Sequence, residues 1–134
     1  MRDYLANVLV TGGRDYADEK RVWAALDTIH LLYGDIMLIH GGAKGVDTFA
    51  ENWAKDHQQV HICFPAEWNK YGKRAGSKRN AEMAAIGLSE NSLNHALVFR
   101  GGRGTTNMLS ILRNFKVLEE YHINLWLVDG EFWK

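Results

Sequence analysis

The chain has almost none of the residues that staple or interrupt a fold: one cysteine and one proline in 134 residues. A single cysteine excludes an internal disulfide framework and a cysteine-rich zinc site, and it fits a reducing, cytoplasmic compartment. Long apolar runs are missing too. None approaches the roughly 20 residues of a membrane span, and the polar opening MRDYLAN lacks the pattern of a secretory signal, so no membrane association is expected. Net charge is absent, with 16 basic and 16 acidic residues. That removes the bulk electrostatic argument for nucleic acid and leaves only local basic patches. The six histidines are scattered, and neither a metal nor a separate cofactor is expected. What remains is 46% hydrophobic residues and 13 glycines. A chain of this length suits one domain over residues 1–134, burying roughly two-thirds of its unfolded surface.

Apolar runs and helical stretches alternate along the chain. Val8–Val10, led in by Tyr4 and Leu5, ends in Gly12-Gly13. A helix is expected from about Ala17 to Tyr33, because Val22, Leu26, Ile29 and Tyr33 recur at spacings of four, three and four. Ile36–Ile39 runs into Gly41-Gly42, and Val46, Phe49, Ala50 and Trp53 share the next helical face. Val60–Phe64 reads as a third strand, stopped by Pro65. Ala66–Ser77 shows no clear period and reads as a long connection, with helical character returning around Arg79–Leu88. Ala96–Phe99 is a fourth strand, followed by a helix striped with Met108, Ile111, Leu112, Phe115 and Leu118. Leu125–Val128 is a fifth strand, and the terminal Phe132 and Trp133 offer an apolar contact or pack on the body. This alternation specifies the α/β class: a Rossmann-like three-layer domain with a mostly parallel sheet of about five strands. Runs apolar on consecutive positions suit strands covered on both faces.

In open α/β sheets, ligands lie outside the carboxyl ends of the strands, where strand order reverses. With the order 3-2-1-4-5, that crevice falls between the first and fourth strands. Eight of the 13 glycines, Gly12, Gly13, Gly41, Gly42, Gly45, Gly101, Gly102 and Gly104, sit in three turns at that edge. Each turn carries a basic residue, Arg14, Lys44 or Arg103. Glycine lets a ligand approach the backbone, and a following helix presents unpaired N–H groups to an anion. None of the turns matches a Walker A loop or a dinucleotide fingerprint. Asp15 and Asp47 follow glycine turns, and each reads either as a helix cap or as a ligand-contacting or catalytic carboxylate. His40 ends the second strand with no partner visible. Lys70–Arg79 holds five of the 16 basic residues beside Trp68 and Tyr71; it reads as a ligand lid, a solvated loop or a nucleic-acid contact.

The motifs VLVTGGRDY, IHGGAKGVDTFAENWAK, GSKRNAEM and VFRGGRGTTNM stand in order at successive strand ends. Together they resemble the YspA-like branch of the SLOG superfamily, the Rossmann-like group that joins the DNA-processing protein DprA and the LOG phosphoribohydrolases. The likeness runs from about Val8 to Leu112. It implies a nucleotide or nucleotide-derived small molecule, seated with its phosphate on the glycine turns. By that resemblance Gly12, Gly13, Gly42, Gly45, Gly101, Gly102 and Gly104 open the backbone. Arg14, Lys44, Arg79 and Arg103 neutralise phosphate, while Thr105, Thr106 and Asn107 bond phosphate or ribose. LOG enzymes carry an acid after the Gly-Thr pair, where this chain has Asn107 and Met108. Asparagine cannot supply the charge that N-glycosidic cleavage uses. The departure favours binding without that hydrolysis; a hydrolase using Asp15 or Asp47, and DprA-like single-stranded DNA binding, are the alternatives. The resemblance also implies homo-oligomers.

Overall fold

A computed structural model describes residues 6–88, 93–114 and 122–130. Its elements, in chain order, are β1 (Ala6–Thr11), α1 (Glu19–Tyr33), β2 (Ile36–His40), α2 (Val46–Asp56) and β3 (Val60–Cys63). After them come α3 (Trp68–Tyr71), α4 (Ala75–Gly87), β4 (Asn94–Val98), α5 (Arg103–Asn114) and β5 (Ile123–Leu127). The five strands form one parallel sheet in the order β3-β2-β1-β4-β5. The expected class and strand order both stand.

Strand alternation sends neighbouring side chains to opposite faces. Val8 and Val10 of β1, with Leu38, Leu97 and Phe99, pack under α1 and α2 through Val22, Leu26, Ile29, Ala50 and Trp53. Leu9, with Ile39, Ala96 and Val98, packs against Met83 of α4 and Met108 and Leu112 of α5. The sheet is therefore sandwiched between two helical layers. Each large side chain buried there contributes roughly 1.5–3 kcal/mol. Trp53, fully buried, also donates its indole N–H to Asp27 Oδ1 at 2.8 Å and stacks on His57 at 4.4 Å. β3 departs from the covered pattern. As an edge strand it leaves Val60 and Ile62 exposed.

Three local expectations are corrected. α1 begins at Glu19 rather than Ala17, because Asp18 accepts the Arg21 N–H at 3.1 Å and caps it. The capping reading of Asp15 fails with that, and Asp15 is exposed. The stretch Ala66–Ser77 is not an unstructured connection: it holds α3, a 3-10 turn over Gly72–Arg74 and the start of α4 at Ala75. These elements are too short to print a hydrophobic period. Phe115, Leu118, Tyr4, Leu5, Phe132 and Trp133 lie outside the described residues. No helix among the described residues is long and apolar enough to cross a membrane.

Candidate functional site

The three glycine turns meet. Gly13 N–H donates to the Arg100 carbonyl at 2.9 Å, and Val46 N–H donates to the Gly13 carbonyl at 3.3 Å, so the turn after β1 is clamped between the other two. Above them lies a cavity of about 410 Å³, within the usual range for small-molecule sites. Thr11–Arg14 form its floor, Gly41–Ala43 and Asp47 one wall, and Gly102 with Arg103–Thr105 of α5 the opposite wall. Gly76, Arg79, Asn80 and Met83 of α4 close the back, with Pro65, Ala66 and Trp68 at the rim.

The β2–α2 turn uses its own amides. Gly41 N–H and Ala43 N–H both donate to Asp47 Oδ2 at 3.2 Å, and Gly42 N–H donates to His40 Nδ1 at 3.0 Å. Asp47 therefore holds the loop behind it instead of capping α2. Its other oxygen, Oδ1, is buried and has no partner among the described residues. Burial pushes the carboxyl up to about 6, against the pull of the two amides and Arg79. His40 has a partner that the sequence hid. Nδ1 accepts from Gly42, so the ring proton sits on Nε2, 3.0 Å from Glu51 Oε1. Burial lowers the His40 pKa.

Arg79 has two of its three nitrogens already committed to protein acceptors. Its Nη1 donates to the Gly41 and Phe64 carbonyls, and its Nε donates to Asn80 Oδ1 at 2.9 Å. Asn80 in turn donates to the Gly104 carbonyl at 3.1 Å and to Asn107 Oδ1 at 3.0 Å. This chain of bonds ties β2, the end of β3, α4 and α5 into one frame. It explains Gly41, since a Cβ there would strike the Arg79 guanidinium. Arg79→Met is expected to cost about 2 kcal/mol by stranding those carbonyls. It should also raise the Asp47 pKa further. Urea unfolding and an NMR titration of the Asp47 carboxyl check the two effects.

Of the expected site residues, Gly12, Gly13, Arg14, Gly42, Asp47, Arg79, Gly102, Arg103, Gly104 and Thr105 line the cavity. Lys44, Thr106 and Asp15 are exposed beyond its lining, and Asn107 is occupied by Asn80. Gly45 and Gly101 lie beneath it as packing glycines, each against the backbone of Gly13. Asn80 was not expected, and Gly41, placed at that edge by its turn, was given no role of its own. Asn80's neighbourhood to Arg79 in Ser77-Lys78-Arg79-Asn80 was the available signal. Trp68 stands at the rim, 56% exposed. Tyr71 is engaged elsewhere, with the Lys70 and Lys78 ammonium groups 5.1 and 4.9 Å from its ring centroid.

Comparison with known proteins agrees with this architecture. The model of the YspA, cpYpsA-related SLOG family matches residues 6–71, which carry the first two glycine turns. The "Gene 61 protein" of Mycobacterium phage D29 is 37% identical over 89 residues, covering 62% of this chain and 71% of that protein. No solved structure matches the chain. With the motifs in order and the parallel sheet that carries them, the chain belongs to the YspA-related SLOG family.

Proposed function

We propose that the cavity binds a nucleotide or nucleotide-derived phosphate ligand, with the phosphate against the first turn of α5. The observation that carries this is the unequal state of the turns. The β2–α2 amides are already bonded within their own loop. In α5, by contrast, the first backbone bond described runs from Thr106 N–H to Gly102 O at 3.0 Å. Initial N–H groups of a helix lack intrahelical acceptors and attract anions. A Cβ at Gly102 or Gly104 would meet nothing within 4 Å, so that wall is open to close approach. Arg14 and Arg103, both exposed and both lining the cavity, supply the charge. The rim around Pro65, Ala66 and Trp68 offers an apolar surface for a base, where stacking contributes about 1–3 kcal/mol.

Thermal-shift and calorimetric titration with nucleoside monophosphates test this. Binding at a hundredfold excess over the dissociation constant adds roughly 2.7 kcal/mol of stability. Arg103→Ala and Arg14→Ala are each expected to weaken binding about tenfold or more, because charge-assisted bonds contribute about 1.5–3 kcal/mol. Lys44→Ala should leave affinity unchanged. Equal losses in all three variants would point to diffuse charge attraction and sink the assignment.

A second reading, N-glycosidic hydrolysis, is favoured by one feature: a buried carboxylate with an unpartnered oxygen at the cavity wall, its pKa near 6. In that reading Asp47 supplies the charge that Asn107 and Met108 cannot. Release of free base from nucleoside monophosphates by the wild-type chain, abolished in Asp47→Asn, would establish it.

A further inference from the structure

Beneath the wall of the cavity, on the α2 face of the sheet, three side chains from three elements converge: His40 from β2, Glu51 from α2 and His61 from β3. Their ligating atoms all lie within 4.8 Å of one another. Glu51 Oε1 is the centre, 3.0 Å from His40 Nε2 and 3.9 Å from His61 Nδ1. We propose that this cluster is a binding site for a borderline divalent transition metal of the Zn²⁺ class.

The donor set is two imidazoles and one carboxylate, which suits Zn²⁺, Ni²⁺ or Cu²⁺ and not Mg²⁺ or Ca²⁺. Zinc bonds of roughly 2.0–2.2 Å require tetrahedral ligand atoms about 3.3–3.6 Å apart. The observed separations bracket that spacing. The adjustment falls on the two groups able to make it, since the Glu51 and His61 side chains are each about 30% exposed while His40 is locked in the core. Their exposure also provides an entry path and leaves the fourth position to water. Lys55 pairs with the other Glu51 oxygen, Oε2, at 3.1 Å and leaves Oε1 to face the two imidazoles.

Binding has a definite local consequence. A ligating histidine ordinarily carries its proton on the other ring nitrogen. Here that nitrogen, His40 Nδ1, accepts the Gly42 N–H. Coordination through Nε2 moves the His40 proton to Nδ1 and breaks the bond to Gly42, which weakens the binding. It also frees a backbone donor in a residue that lines the cavity. The site does not depend on what the cavity binds.

Titration of the untagged full-length chain with Zn²⁺, and with Co²⁺ as a visible-absorbing substitute, tests the proposal. One metal per chain is expected, with affinity falling at least about tenfold in His61→Ala and Glu51→Gln. Cys63→Ser should leave affinity unchanged. His61 lies on the edge strand and is partly exposed, so His61→Ala is expected to keep the metal-free melting temperature. The Gly42 amide resonance should shift on Zn²⁺ addition in the wild type and stay put in His61→Ala. Absence of stoichiometric binding, equal affinity in His61→Ala, or loss of binding in Cys63→Ser would each overturn the proposal.

Discussion

Gly45→Ala is expected to remove about 2–6 kcal/mol of stability, a large part of the roughly 5–15 kcal/mol typical of a folded domain. Two separate costs combine. Gly45 has φ of +76°, a conformation that costs an L side chain about 1–3 kcal/mol. Its Cβ would also strike the Gly13 carbonyl oxygen and fall 2.7 Å from that of Arg14. Those are backbone atoms, so the turns after β1 and β2 must separate to admit a methyl group, at about 1–3 kcal/mol more. The separation would break the Val46 N–H bond to Gly13 that clamps the two turns. Gly102→Ala is the matched comparison, since nothing lies within 4 Å of its Cβ. Its unfolding free energy in urea should stay within about 0.5 kcal/mol of the wild type, while affinity for a phosphate ligand falls because the methyl group stands on the open wall. A Gly45→Ala midpoint equal to that of the wild type would mean that the turns are not locked together.

The contrast between these two glycines shows what the sequence reveals and what it withholds. Both belong to Gly-rich turns after a strand, and both read as ligand glycines. That the turns converge was legible, because runs such as Met37–Ile39 and Ala96–Val98 are apolar on both faces and demand a covered parallel sheet. Strand order and the switch point then bring the turns to one edge. Which atoms each turn has left over was not legible, because hydrogen-bond partners are chosen in three dimensions. Arg79 reads as a free cation until the Gly41 and Phe64 carbonyls are placed around it. Asp15 and Asp18 both sit in good positions to start a helix, and only the backbone path selects Asp18. Linear spacing is no guide to the histidines either. His57 and His61 stand four apart, as on one helical face. Gln58, at φ of 55°, turns the chain out of α2 between them. His57 then faces Asp27 at 3.3 Å, while His61 lies near Glu51.

Asp47→Asn is expected to make the protein more stable at neutral pH while removing whatever the carboxylate does for the ligand. The Asp47 pKa stands at about 6 in the folded state, against an ordinary value of 3.8. The folded chain therefore holds a proton between about pH 4 and 6 that the unfolded chain has released. The unfavourable contribution of Asp47 accordingly grows as pH rises through that window and is constant above it. At about 1.4 kcal/mol per unit, the buried charge costs roughly 3 kcal/mol at pH 7.5; with the residue 6% exposed, solvent relieves little of it. Asparagine keeps an oxygen for the Gly41 and Ala43 amides and replaces the unpartnered oxygen with an unpartnered amide, which returns about 1–2 kcal/mol of that cost. A net gain of about 1–2 kcal/mol should remain at pH 7.5, raising the melting temperature by about 3–7 °C; it should pass through zero near pH 5 and leave the variant the less stable protein by about pH 4. Arg79 on α4 is the charged group acting on Asp47, and it favours the ionised form. His40, on the other side of the same turn, has a lowered pKa and so gives the opposite slope below its ordinary value. It is common to both proteins and cancels in the difference. Thermal unfolding of the pair from pH 4 to 8 reads the effect directly. A gain of that size would mean that burial of the charge outweighs the two amide bonds. A variant less stable than wild type at pH 7.5 would show the opposite: that the two amide bonds outweigh burial, and that Asp47 is there to hold the loop.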